Sequence, residues 1–112
     1  MMTNPKFQNF CGADSQYYFR LRAENGEIIL KSEGYTAKHN CENGVRSVKE
    51  NATDQGQFKH KMSKNGRPYF VLAARNHEII GVSETYNSEQ NRDVGIASVM
   101  TNAPIAPVED LA

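Results

Sequence analysis

The chain has 112 residues, with thirteen Lys and Arg balanced by thirteen Asp and Glu for a formal net charge of zero. That length makes one domain able to bury a core without staples and is too short for two. The balanced charge excludes an overall field toward nucleic acid or an acidic membrane, so any basic partner site has to be local.

The N-terminal stretch MMTNPKFQNF has neither the apolar run of an export signal nor the Arg/Ser-rich pattern of a transit peptide, and no later stretch has the apolar length to span a bilayer. A cytoplasmic location is expected. In a reducing compartment Cys11 and Cys41 are free thiols, expected as two small buried hydrophobes, because a metal site needs more ligands than two isolated cysteines.

A first strand is predicted around Phe7 to Cys11, followed by a turn at Asp14-Ser15. Next, YFRLRA alternates, with Phe19, Leu21 and Ala23 on one face and Tyr18, Arg20 and Arg22 on the other, as a half-buried strand requires. Asn25-Gly26 suits a two-residue type I′ turn, returning the chain as EIILKSE. This register sets Arg22 opposite Ile29, Arg20 opposite Lys31 and Glu33 opposite Tyr18. The period then changes: Ala37, Cys41, Gly44, Val45, Val48 and Ala52 lie on one face of a helix, with Thr36 as its N-cap and Asn51 suited to a left-handed stop.

From Phe58 the same order begins again at a constant offset of 51 (69 − 18): Tyr18 recurs as Tyr69, Tyr35 as Tyr86 and Asn51 as Asn102, with no gap. The units run from about 5 to 54 and about 55 to 108. Each is one supersecondary unit, too small to bury its apolar face alone and completed by its twin. In the second unit the first turn is Asn65-Gly66, the hairpin turn is Asn76-His77, and the helix carries Gly95, Ile96, Val99 and Ala103, with Asn87 as N-cap and Gln90 completing a capping box. A histidine where glycine is suited costs on the order of 1 kcal/mol. Gly44 and Gly95, costly in mid-helix, imply close backbone approach to the sheet or the twin helix.

The YFRLRAENGEIILKSEGY block followed by NGVRSVKENA, and their repetition as PYFVLAARNHEIIGVSETY and GIASVMTNA, resemble the YegP-like family of small bacterial proteins of unknown function over nearly the whole chain. The resemblance implies an α+β fold: two tandem β-β-β-α repeats sharing one antiparallel sheet with both helices on one face, pseudo-two-fold symmetric, each unit passing a short strand beyond its helix to the other. It also implies that single-repeat relatives form the same object as homodimers. His77 departs from the pattern and puts only its turn in doubt. The family brings no cofactor or catalytic residue, and none is expected here.

No motif for a nucleophile, a metal cage or a phosphate cradle is present. The repeated carboxylates Glu27 with Glu78 and Glu33 with Glu84 are candidates for an acid/base pair across a pseudo-two-fold axis, with simple cross-strand pairing as the blander reading. His60, aligned with Asn9, is expected inside as a hydrogen-bonded core residue. FKHKMSKNGR places Lys59, Lys61, Lys64 and Arg67 near Tyr69 and Phe70, a basic hairpin suited to nucleic acid or anions, though lysines also protect an exposed edge strand.

The main candidate is the sheet's outer face. There the first unit presents Tyr18, Arg20, Arg22 and Lys31, and the second Tyr69, Val71, Ile80 and Val82, with Ala73 opposite Ile80 and Val71 opposite Val82. An apolar patch of that kind implies a cover or a partner. The cover would be the tail, through Ile105, Val108 and Leu111; otherwise the patch is expected to bind an unidentified protein, and the chain to be a non-enzymatic interaction module, monomeric and without a membrane.

Overall fold

The computed structural model describes residues 3–112; Met1 and Met2, at the start of the stretch read for an export signal, lie outside the described residues. The elements in order are β1 (Lys6–Cys11), β2 (Tyr17–Arg22), β3 (Ile28–Lys31), α1 (Lys38–Asn51), β4 (Phe58–Met62), β5 (Pro68–Ala73), β6 (Ile79–Val82), α2 (Glu89–Asn102) and β7 (Val108–Asp110). They form a seven-stranded sheet in the order β4-β5-β6-β3-β2-β1-β7, so the units meet where β6 lies beside β3. Six strands pair antiparallel, and β7 runs parallel to β1, making the sheet mixed. Strand passing occurs once: β7 crosses from the second unit to the first, while the chain beyond α1 runs through the 3-10 turn Gln55–Gln57 directly into β4.

One apolar cluster fills the space between the helices and the sheet. Phe7, Phe19, Leu21 and Leu30 from the first unit meet Phe58, Phe70 and Leu72 from the second, under Cys41, Val45 and Val48 of α1 and Ile96 and Val99 of α2. Phe7 and Phe19 meet edge to face at 6.1 Å, and Phe58 and Phe70 do so at 5.7 Å. The units join through a narrow seam, with Lys31 and Val82 as the Cα partners. Beside it the repeat is broken in a complementary way: a Cβ on Gly81 would meet the Leu30 side chain at 2.7 Å. Leu30 and Gly81 are equivalent positions, so a leucine from one unit fills the space that the glycine of the other leaves open.

Several expectations change in the structure. Each hairpin closes through three residues instead of two: the Gly26 N–H donates to the Ala23 carbonyl and the Ala23 N–H to the Glu27 carbonyl, both at 2.9 Å. Only the third loop residue has positive φ, Gly26 at 86° and His77 at 72°. This is a type I turn with a left-handed residue and a bulge, not type I′. The bulge shifts the pairing, so Arg22 faces Ile28 and Ala73 faces Ile79, while Arg20–Lys31 and Val71–Val82 stand as expected. Ile29 and Ile80 consequently belong to the core.

At the helix starts, the N-cap positions are Ala37 and Ser88, one residue later than Thr36 and Asn87; the Ser88 hydroxyl accepts the Asn91 N–H at 3.0 Å, so Gln90 closes no capping box. Asn51 and Asn102 are not left-handed stops. Both are buried in the last turn, and their amides donate to the carbonyls of Ser47 and Ser98. Cys11 is exposed at the end of β1, and Cys41 alone is a buried thiol.

Candidate functional site

The outer face carries the residues that sequence singled out, yet its charges are mostly matched within the protein. Gln8 Oε1 accepts from Arg20 Nε at 2.8 Å and Arg22 Nε at 2.7 Å, and its amide donates to Glu109 of β7. Lys6 pairs with Glu109 at 3.1 Å, and the Arg20 guanidinium sits 4.5 Å from the centre of the Phe10 ring. Burial, then the neighbouring Arg22, lowers the Arg20 pKa from its ordinary value. Tyr18 stacks on Phe10 and donates to Asp14, and Lys31 pairs across the seam with Glu84 at 2.6 Å. Those cations hold the sheet edge and the seam.

The apolar patch is smaller than expected. Val71 is 5% exposed, lying in the ladder between Lys59 and Val82, and Ile80 faces the core, which leaves Val82, Ile79 and the half-buried Tyr69. The tail does not cover it, because β7 lies on β1 at the opposite edge of the sheet. Of the basic hairpin, Lys59 and Lys61 are exposed on the edge strand β4 and Lys59 donates to the Gly56 carbonyl, while Arg67 donates to Asn87. His60 is not a core residue: it is exposed and lies 3.8 Å from Asp93.

The structure instead brings together residues that sequence weighed separately. Between α2 and the β2–β3 hairpin lies an open cleft of roughly 540 Å³. Its twin, roughly 410 Å³, lies between α1 and the β5–β6 hairpin. Each cleft is therefore built by the helix of one unit and the hairpin of the other. Tyr86 and Gly95 in the first match Tyr35 and Gly44 in the second; so do Asn91 and Ser98 with Asn40 and Ser47. From the opposite unit come Ala23, Asn25, Glu27 and Ile29, matched by Ala74, Asn76, Glu78 and Ile80. Only Val94 against Asn43 differs among these paired positions.

The mid-helix glycines now have their reason. A Cβ on Gly44 would come within 2.5 Å of the Tyr35 hydroxyl, and one on Gly95 would collide with the Tyr86 hydroxyl. The closest approach is by the unit's own tyrosine, and at Gly44 the sheet closes in as well, with the Phe19 ring of β2 at 3.0 Å from such a Cβ. Each ring also stacks on a core phenylalanine, Tyr35 on Phe19 at 6.4 Å and Tyr86 on Phe70 at 6.2 Å, so the phenol is held rigidly with its oxygen over the helix.

Some of the repeated lining is structural: Asn25 and Asn76 accept the N–H groups of Glu27 and Glu78 in the turns, and the hydroxyls of Ser47 and Ser98 accept from Asn51 and Asn102. The side chains of Glu27, Glu78, Asn40 and Asn91, and the hydroxyls of Tyr35 and Tyr86, make no hydrogen bond or ion pair to the described residues. Burial, with the carboxylates of Glu27 and Glu84 adding to it, raises the Tyr86 pKa; burial first, with Cys41, Glu78 and Glu33 following, raises that of Tyr35. Both phenols are thus neutral near pH 7 and keep a proton to donate. Burial also pushes the Cys41 thiol up to about 11, leaving it protonated within the core.

The family model described as Domain of unknown function (DUF1508) matches twice, over residues 13–58 and 63–110. The chain belongs to this family. It is 52% identical over 98 residues to a UPF0339 protein of Acinetobacter baylyi and 48% identical over 98 residues to the UPF0339 protein YegP of Yersinia pestis, in each case covering 88% of both chains. Two family structures solved by solution NMR are similar to it: yegP from E. coli, described as a protein of unknown function, with a TM-score of 0.90, 41% identity and coverage of 98% of this chain and 95% of that one, and a UPF0339 protein from Shewanella oneidensis, with a TM-score of 0.88, 41% identity and coverage of 94% and 89%.

Within this family fold, sequence reasoning missed Tyr35, Tyr86, Asn40 and Asn91 as site residues. The repeat held the signal. Polar positions exposed in both copies have mostly diverged, and those that keep the same residue are Asn25, Glu27, Glu33 and Asn40 with their twins; three of these four pairs line the clefts. The candidate acid/base pair does not assemble at the clefts, since Glu27 and Glu78 line different ones and Glu84 is held by Lys31.

Proposed function

We propose that the protein is a non-enzymatic binding module whose ligand sites are the twin clefts. The observation that carries this reading is that each cleft holds the same three unengaged polar groups, a carboxylate, an asparagine amide and a phenol, although each is assembled from both units. Duplication alone preserves what folding needs, and it accounts for the stacked tyrosine rings, but folding uses neither the carboxylate, the asparagine amide nor the phenol hydroxyl. A ligand site on a small protein is a concave surface with a few convergent polar groups, and both clefts have that character. One carboxylate per cleft, with no histidine, lysine or cysteine lining it among the described residues and with Ser47 and Ser98 bonded to asparagine amides, favours binding over catalysis. The pseudo-two-fold axis lies inside the chain, which supports a monomer carrying two sites.

Two-dimensional amide NMR of the intact chain, titrated with small cations, polyols and anions, tests this. The expected result is that a ligand moves amides around residues 25–29 and 85–98 together with their twins at 76–80 and 34–47, and that Tyr35→Phe with Tyr86→Phe weakens it without unfolding the protein. Shifts confined to the outer face of β2, β5 and β6 would move the site back to that face.

A further inference from the structure

We infer that each cleft takes a cationic head, an ammonium or guanidinium, carried on a short aliphatic stem. This inference rests on the clefts being binding sites and names what they bind. Among the described residues no Lys, Arg or His lines either cleft, and each cleft has a carboxylate that no described cation engages, Glu27 in one and Glu78 in the other. An anionic ligand would therefore find no counter-charge and would approach a carboxylate of its own sign. A cation gains the carboxylate as a charge-assisted partner, and the side-chain oxygen of Asn91 or Asn40 is a second acceptor. The adjoining wall is aliphatic, Ile29 with Val94 in one cleft and Ile80 in the other, and fits methylene groups better than a sugar's hydroxyls.

The two sites are not equal. The groove that continues the first cleft past Ser98 carries Glu24 as its one charge among the described residues, whereas the groove that continues the second past Ser47 has Arg75 at the matching position, offset by Glu50, so only the first adds negative charge. The site under α2 is consequently the tighter one for a cation.

The cation is either a free small molecule or an arginine or lysine side chain of a peptide, and one set of probes separates charge from shape and also separates those sources. Butylguanidinium is compared with butylurea, its neutral near-isostere, and with butyrate. A short capped peptide with one arginine is compared with the same peptide carrying citrulline. The expected result is that butylguanidinium moves the cleft amides, and that butylurea binds weaker by about tenfold or more, the weight of one charge-assisted hydrogen bond. Glu27→Gln should abolish that preference under α2 while leaving it under α1. Tighter binding of the arginine peptide than of butylguanidinium assigns the head to a side chain, and equal binding assigns it to a free molecule; the inference stands in both cases. Equal binding of butylurea at the clefts would overturn the cationic ligand and leave the clefts as sites. No shift with any probe would overturn both.

Discussion

The clefts and the outer face of the sheet are made by the same two repeats and have fared oppositely. In the clefts eight of the nine paired lining positions keep their residue. Across the outer face, Tyr18 with Tyr69 and Ile28 with Ile79 are retained, while Arg20, Arg22, Lys31, Gln8 and Phe10 have become Val71, Ala73, Val82, Lys59 and Lys61. The edges show the same divergence: β1 is covered by β7 through the Glu109 and Lys38–Asp110 pairs, whereas β4 is an open edge and Lys38 has become Glu89. The lesson is that a surface whose job is done once is free to drift in the other copy. One used twice is held twice.

The strongest way to break this comparison is to separate the repeats. Residues 1–54 or 55–112 expressed alone lose the opposite hairpin, half the sheet and one side of every cleft, so each half is expected to be unfolded or to self-associate; size-exclusion and circular dichroism decide it. A stable monomeric half would show that the units do not need each other. The next largest effect is at the seam. Leu30→Ala should cost about 2–5 kcal/mol in a urea melt, as deletion of a fully buried leucine does. Exchanging the pair, Leu30→Gly with Gly81→Leu, should recover most of what Leu30→Gly loses. A double variant no better than the single one would mean that the two sides are not complementary.

Smaller effects sharpen the clefts themselves. Gly44→Ala and Gly95→Ala should each cost about 1–3 kcal/mol, because the added methyl drives a tyrosine from its seat. Tyr35→Phe and Tyr86→Phe should change stability by less than about 0.5 kcal/mol, since neither hydroxyl bonds to the described residues. A large loss in either phenylalanine variant would give the hydroxyl a structural role and weaken the case for a ligand. In the opposite sense, His77→Gly should stabilise by up to about 1 kcal/mol, because φ at 72° strains a non-glycine residue. A lower melting temperature would mean that His77 is held by contacts worth more than the strain.

Much of the fold was legible because it rests on local patterns. Alternation at Phe19, Leu21 and Ala23 and the helical spacing of Cys41, Val45 and Val48 placed strands and helices, and the gapless offset disclosed the twin units. The bulge was not legible, since Asn-Gly serves a type I′ turn and a type I turn with a left-handed third residue equally well. That single residue of register moved Ile80 from the outer face to the core and shrank the expected patch. The destination of the tail was hidden for a related reason: three residues, Val108 to Asp110, have no period to read, and it is the pairing of Glu109 with Lys6 and Gln8 that fixes them on β1. The clefts were half legible. Glu27 and Glu78 stood out as repeated carboxylates, but seeing them beside Asn91 and Asn40 required knowing that each hairpin packs against the other unit's helix.

Two cation sites on one chain can be counted directly. Equilibrium titration of the intact chain with butylguanidinium should show two equivalents bound, the tighter under α2. Glu27→Gln should weaken the α2-side site by about tenfold or more while the α1-side amides shift as before, Glu78→Gln should do the reverse, and the double variant should weaken both. A single equivalent in the unaltered chain, or binding undiminished by both substitutions, would contradict the two-site reading.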